Sequence, residues 1–422
     1  MKLKITPHPL AGRVEAVVSK SDVHRAMIGA ALCDRPTVLK VGTTNQDIEA
    51  TASCLRALGA QIEALPDGCC RILPVGSGAV GPLLDCRESG STLRFLLPLL
   101  PALGYGATVT GTGRLPLRPL SPLREELEAH GVVIEGKGLP LHISGRLLPG
   151  CYCLPGNVSS QYITGLLFAL PLLPEDSSIR LTSPLESAGY VEMTLQTLSR
   201  FGVAVHQREN GWDIPGGQKY RSPGQLACEG DWSNAAFFLA AGALGKEGEP
   251  VAVAGLNAAS VQGDRAIVSL LRQFGARVEE RPDKAVSVGR QRLSGIEINA
   301  ADIPDLVPIL AVCGCAAQGS TRIFNAARLR LKESDRLHTV AAALQALGGK
   351  VQELPDGLLI EGGSLRGGRV DCANDHRIVM SMAVAACLCR ETVVLDGAEA
   401  CRKSYPTFFD DYQSLGGKTD VL

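Results

Sequence analysis

The chain is short of net charge, of long apolar runs and of metal-ligand spacings. Its 42 Lys and Arg stand against 43 Asp and Glu over 422 residues, a net charge of -1. That balance excludes the broadly basic surface of a nucleic-acid binder or a polybasic membrane face. Basic residues could still converge locally on an anion. The apolar runs FLLPLLPALG and LLFALPLLP contain proline and are too short to span a bilayer; they read as buried segments, and no membrane or nucleic-acid partner is expected. MKLKITPHPLAG lacks the apolar stretch of a secretory leader. The 14 cysteines include the pairs Cys151/Cys153 and Cys313/Cys315, but no His/Cys cluster completes a zinc pattern. They are expected to be reduced, small apolar side chains of a cytoplasmic protein that holds no metal.

What is present is enough apolar content, 45%, to fill two sizeable cores, and an internal repeat. The segments CLRALGAQIE, ELEAHGVVIE, TLSRFGVAVH, LLRQFGARVE and ALQALGGKVQ each join a helix end to a strand-like run through a glycine. Those glycines, Gly59, Gly131, Gly202, Gly275 and Gly348, are 72, 71, 73 and 73 residues apart, and Gly416 follows 68 residues later. Each can end a helix in the left-handed conformation at low steric cost, and the alternation that follows predicts a strand.

A second landmark keeps the same period. Ser21, Ser89, Ser160, Ser233, Asp305 and Asp375 precede apolar helical runs, where a small polar residue caps the first turn. Six units of a buried helix, an amphipathic helix and short strands therefore form two sets of three. A polar, glycine-rich stretch over residues 216–225 suggests the break. The sixth unit runs out of chain before its last strand, so the N-terminal MKLKI is expected to complete it. The expected domains are 14–222, and 1–13 with 223–422.

Helix N-termini offer unpaired N–H groups and positive partial charge. The segments around the expected ones are SKSDVHR, RESGSTLR, NVSSQY, ADIPDL, RLRLKESDR and NDHR. Several chemically matched segments at one topological position point to a receptor for a polyanion. Together with RKSYPTFF, they resemble the enolpyruvyl transferase family, in its shikimate branch, over nearly the full chain. The loop GTGRLPLRPL lacks the cysteine usual in the branch that acts on UDP-N-acetylglucosamine. A non-catalytic anion-binding protein would have no need of Asp305 and Glu333 together.

The resemblance implies an α/β fold of two domains, each of three βαβαββ units, with the active site in the interdomain cleft. It implies transfer of the enolpyruvyl group of phosphoenolpyruvate to the 5-hydroxyl of shikimate 3-phosphate, through a non-covalent tetrahedral intermediate and without a cofactor. A monomer is implied, and no heptad repeat or interaction tail argues otherwise. By motif match, Lys20, Gly90, Arg118, Gln161, Arg336, Arg377 and Lys403 would hold phosphoenolpyruvate, with Arg94 one turn into the same helix as Gly90. Ser21, Arg25, Ser159, Ser160, Gln161, Ser187, Tyr190, Asp305 and Lys332 would hold shikimate 3-phosphate. Asp305, Glu333, Lys20, Lys332 and His376 would carry the chemistry: Asp305 on the hydroxyl, Glu333 on the methylene carbon, His376 in support. Nearby cations favour an ionised carboxylate and burial favours the acid, so both directions are open at this point. Glu88 and Arg328 stand where the family often has asparagine.

Overall fold

The structure, a computed structural model, describes residues 1–76 and 81–422. Among the described residues the strands form six four-stranded sheets. The segment 151–214 shows the repeated unit whole. Cys151–Leu154 leads through helix Ser160–Ala169 to the parallel strand Ser177–Leu181; helix Ala188–Arg200 leads on to His206–Arg208 and Gly211–Ile214, which close the sheet antiparallel. This is the βαβαββ order.

The first helix of each unit is Lys20–Ala31, Gly90–Ala102, Ser160–Ala169, Trp232–Leu244, Val307–Ala316 or His376–Ala385. These helices are buried along nearly their whole length, mostly by apolar residues, with polar side chains such as Asp22, His24 and Arg25 of Lys20–Ala31 buried among them. The second helices are Gln46–Ala57, Leu123–Ala129, Ala188–Arg200, Ile267–Phe274, Arg336–Ala346 and Phe408–Ser414. All six repeat glycines that follow them have φ between +74° and +102°, the left-handed turn the spacing predicts.

The caps differ in detail. Ser89 and Asp375 accept first-turn N–H bonds as expected, but Ser19, Ser159 and Asp231 do so in place of Ser21, Ser160 and Ser233. A cap must have extended backbone, and the latter three are already helical. Asp305 lies in the 3-10 turn Pro304–Leu306 that leads into its helix, and its carboxylate faces arginines.

The chain divides into two compact units, a continuous one of Val18–Cys228 and a discontinuous one of Met1–Val17 with Glu229–Leu422. Each has its own apolar core. The borders fall a few residues beyond 13/14 and 222/223, and strand pairing is the reason. Gly12–Glu15 lies parallel to Val251–Ala254, while Gln225–Ala227 lies parallel to Thr37–Lys40. Lys2–Thr6 sits between Val393–Asp396 and Lys418–Val421, completing the sixth sheet as MKLKI was expected to do. All fourteen cysteines are free thiols. Among the described residues no helix is long and apolar enough to cross a membrane.

Candidate active site

In the continuous unit the focus is Gly90, the first residue of helix Gly90–Ala102, capped by Ser89. A Cβ on Gly90 would fall 2.6 Å from Arg94 Nη1 and 2.7 Å from Arg118 Nη1. Two guanidinium groups therefore press on this hydrogen-only face, at a helix end that also favours negative charge. Arg94 is buried; it donates to Gln161 Oε1 at 3.0 Å and to the Pro119 carbonyl at 3.1 Å. Gln161 in turn donates from Nε2 to Ser91 Oγ at 3.0 Å. Gln161 thus ties helix Ser160–Ala169 to the first turn of helix Gly90–Ala102. Lys20 opens its own helix and is 2.7 Å from Asp47 Oδ2.

Most of the residues expected to meet the second substrate lie in the same unit; Asp305 and Lys332 lie in the discontinuous one. Arg25 is buried, donating to the Ser21 and Tyr190 carbonyls at 2.7 and 2.8 Å and to Thr194 Oγ1 at 2.9 Å. Burial lowers its pKa to about 10 against the pull of Asp22 and Tyr190. Ser159 caps helix Ser160–Ala169, with Ser160 in its first turn. Ser187 is buried and left-handed, with φ of 56°, immediately before helix Ala188–Arg200, which carries Tyr190.

The discontinuous unit gathers the carboxylates. Arg336 is 2% exposed and holds three of them. Its Nη1 donates to Asp305 Oδ1 at 2.8 Å, its Nη2 to Glu333 Oε2 at 2.7 Å and its Nε to Asp375 Oδ2 at 2.8 Å. Arg377 donates to Asp305 Oδ2 at 3.1 Å, and Lys332 Nζ is 3.9 Å from Asp305 Oδ1. Burial alone would raise the pKa of Asp305, but Arg377, Lys332 and Arg336 outweigh it and hold the group well below the usual carboxylate range. Asp375 is likewise lowered, burial again opposing Arg336. Arg336 is raised in turn, its carboxylates overcoming burial. Lys403 donates to the Asn374 carbonyl at 2.7 Å. His376 is buried, its Nδ1 3.9 Å from Asp375 Oδ1, beyond hydrogen-bond reach.

Sequence reasoning treated Asp375 only as a cap, yet it is the innermost partner of Arg336 and also accepts from Ser334 Oγ at 3.0 Å. It also passed over Asp264. That carboxylate is buried, accepts a bond from Ser233 Oγ, and is pushed up to about 7 by burial and then by Asp305. No periodicity marks it. A Cβ on Gly263, the residue before it, would fall 2.9 Å from the Asp302 carbonyl, close to the turn that carries Asp305. Of the two departures from the family pattern, Arg328 donates to the Ala301 carbonyl at 2.6 Å and Glu88 packs beside Gly113.

Comparison with known proteins gives one consistent result. The family model described as EPSP synthase (3-phosphoshikimate 1-carboxyvinyltransferase) matches residues 5–412. The chain is similar to the 3-phosphoshikimate 1-carboxyvinyltransferase of Clostridium acetobutylicum, with 42% identity covering 98% of this chain and 97% of the relative. It is similar to that of Brachyspira hyodysenteriae at 37% identity, covering 99% of both. Among solved structures, EPSP synthase of Acinetobacter baumannii superposes with a TM-score of 0.83 at 26% identity, over 100% of both chains. The enolpyruvyl transferase NikO of Streptomyces tendae, at 18% identity and a TM-score of 0.82 over 99% of this chain and 98% of its own, shares the fold.

Proposed function

The chain belongs to the EPSP synthase (3-phosphoshikimate 1-carboxyvinyltransferase) family, and from that premise we propose how its residues carry out the reaction. The protein transfers the enolpyruvyl group of phosphoenolpyruvate to the 5-hydroxyl of shikimate 3-phosphate and releases phosphate, a step of aromatic amino-acid biosynthesis. It is proposed to act as a cytoplasmic monomer.

The chemistry needs two polyanions held together, a proton removed from a hydroxyl and a proton added to a carbon. The set around Gly90, with Arg94, Arg118, Gln161 and Lys20, suits the phosphoenolpyruvate anion, since guanidinium groups grip phosphate and carboxylate with paired donors. Arg336, Arg377 and Lys403 would complete its contacts. Ser21, Arg25, Ser159, Ser160, Gln161, Ser187 and Tyr190 would hold shikimate 3-phosphate, with Asp305 and Lys332 at its 5-hydroxyl. The continuous unit is therefore proposed as the shikimate 3-phosphate side.

One observation carries the mechanism: Asp305 and Glu333 share Arg336. A carboxylate held so firmly ionised is a weak base. When the carboxylate and phosphate of phosphoenolpyruvate engage Arg336 and Arg377, they compete with Asp305 for the same positive charge, and its proton affinity rises. Asp305 then takes the proton of the 5-hydroxyl as that oxygen bonds to C2 of the enolpyruvyl group. Glu333, as acid, protonates the methylene carbon, giving a tetrahedral intermediate bound without a covalent link to the protein. Phosphate leaves with its bridging oxygen, which takes up the proton that Asp305 had removed and so returns Asp305 to the carboxylate, and the remaining charge is met by Lys20 and the arginines. A proton returns from the methyl carbon to Glu333 to restore the double bond, and His376 supports the Asp375 end of the network.

Phosphate release that requires both substrates tests this reading. Release is expected with phosphoenolpyruvate and shikimate 3-phosphate together and with neither alone. Folded protein that releases none from the pair would overturn it.

A further inference from the structure

Behind the Gly90 pocket runs a buried chain of polar groups to which the reaction gives no task. His24 Nδ1 is 2.7 Å from Thr51 Oγ1, Thr51 Oγ1 is 2.6 Å from Thr92 Oγ1, and Thr92 Oγ1 donates to Ser89 Oγ at 2.7 Å. Ser89 Oγ also accepts the Thr92 backbone N–H at 3.2 Å, the bond that caps helix Gly90–Ala102. His24, Thr51 and Thr92 have no exposed surface and Ser89 has 1%. Apolar side chains would fill such positions without the cost of burying hydroxyls and an imidazole, so this set calls for an explanation.

The protons can be assigned. A threonine hydroxyl has one proton to donate. Thr92 gives its proton to Ser89, so it must accept from Thr51. Thr51 has then given its own and must accept from His24 Nδ1, which therefore carries the proton. The chain runs one way, from an imidazole on helix Lys20–Ala31, through helix Gln46–Ala57, to the cap of helix Gly90–Ala102. His24 is left neutral, with Nε2 as a bare acceptor that is buried and has no hydrogen-bond partner among the described residues. Burial, then Lys20 and Arg25, oppose a second proton on the ring. Its edge-to-face packing on Phe95, at 6.4 Å, fixes the ring against the same helix it serves.

We propose that His24, Thr51 and Thr92 form a positioning relay that sets the cap at Ser89, and with it the placement of Gly90, Ser91 and Arg94 toward the phosphoenolpyruvate anion. This rests on the reading of the Gly90 pocket given above. Close packing at that helix end leaves little tolerance, since a Cβ on Gly90 would fall 2.6 Å from Arg94 Nη1 and 2.7 Å from Arg118 Nη1. A shifted cap would carry Arg94 away from Gln161 and disturb the anion pocket. Of the residues assigned to shikimate 3-phosphate, Ser160 and Tyr190, on helices Ser160–Ala169 and Ala188–Arg200, lie outside the relay.

Thr51→Val keeps the side-chain shape and removes the hydroxyl. With saturating shikimate 3-phosphate, the dissociation constant of phosphoenolpyruvate should rise roughly tenfold, the scale of one lost buried hydrogen bond. The affinity for shikimate 3-phosphate alone should change less than about twofold. Thr51→Ser and His24→Asn, whose Nδ2 can donate from the position of Nδ1, should stay close to the parent, and His24→Leu should resemble Thr51→Val. Equal weakening of both substrates, or a lower melting temperature with unchanged phosphoenolpyruvate affinity, would overturn the relay, because either marks a merely structural role. In unsubstituted protein, nitrogen NMR of labelled histidine should find His24 neutral with the proton on Nδ1; an Nε2–H tautomer or a charged ring overturns the proposal whether or not the variants fold. Failure of the unsubstituted enzyme to release phosphate from its two substrates is a separate result, which removes the reading of the pocket itself.

Discussion

Arg336 Nη1 stands 2.8 Å from Asp305 Oδ1, and the guanidinium that makes this contact is 2% exposed. An arginine expected to hold substrate is thus also the counter-ion of the proposed base. Both duties are compatible only if ligand charge replaces protein charge as the site fills.

Arg336→Ala should therefore cost stability as well as affinity. Asp375 has no exposed side-chain surface and would be left in the interior without its principal cation. A loss of about 3–5 kcal/mol is expected, the usual result of removing one partner of a buried ion pair. Urea denaturation measures it, and direct phosphoenolpyruvate binding to the folded fraction separates the second effect. A variant as stable as the parent would show that Asp375 is neutralised some other way.

Glu333→Gln should separate chemistry from folding. Glu333 is 19% exposed and bonded to the same arginine, and glutamine keeps that acceptor. Turnover at saturating substrates should fall by roughly 10²–10⁴-fold if proton exchange at the methylene carbon is its task. Near-parental turnover in stopped-time phosphate assays would remove Glu333 from that role.

Gly90→Ala should weaken phosphoenolpyruvate selectively. The new methyl would displace the ends of Arg94 and Arg118, which are flexible side chains, so the fold should survive. Calorimetry is expected to show lower affinity for phosphoenolpyruvate with little change for shikimate 3-phosphate.

Acid should act through Asp305 and Asp375. Their pKa values are depressed in the folded state, so their contribution is present above the unfolded value of about 3.9 and is lost as pH falls through the lower folded values. Asp264 runs the other way. Raised to about 7 in the fold, its contribution is full below about pH 3.9 and is lost as pH rises through about 7. Asp264→Asn should therefore gain stability relative to the parent as pH rises from about 4 to about 7, and hold that gain above. Denaturation series from pH 4 to 8 would show this; a constant difference between the two proteins would contradict it.

The repeat was legible because its signals are local. A glycine that ends a helix acts within one turn, and alternation that makes a strand acts within five residues, so Gly59 through Gly416 announced six units without reference to anything distant. The candidate site segments were legible for a related reason: Lys20, Gly90 and Asp305 stand beside helix starts that the same signals mark. Tertiary structure decided what pairs across the chain. Arg336 chooses Asp375, 39 residues away, and Lys2–Thr6 inserts beside Val393–Asp396 at the opposite end of the sequence. His24, Thr51 and Thr92 look like unrelated polar residues on three helices until packing removes water and leaves each hydroxyl only its neighbour. Burial decides such pairings because a polar group cut off from solvent must find its partner inside the protein, and which groups meet there depends on how all the helices pack.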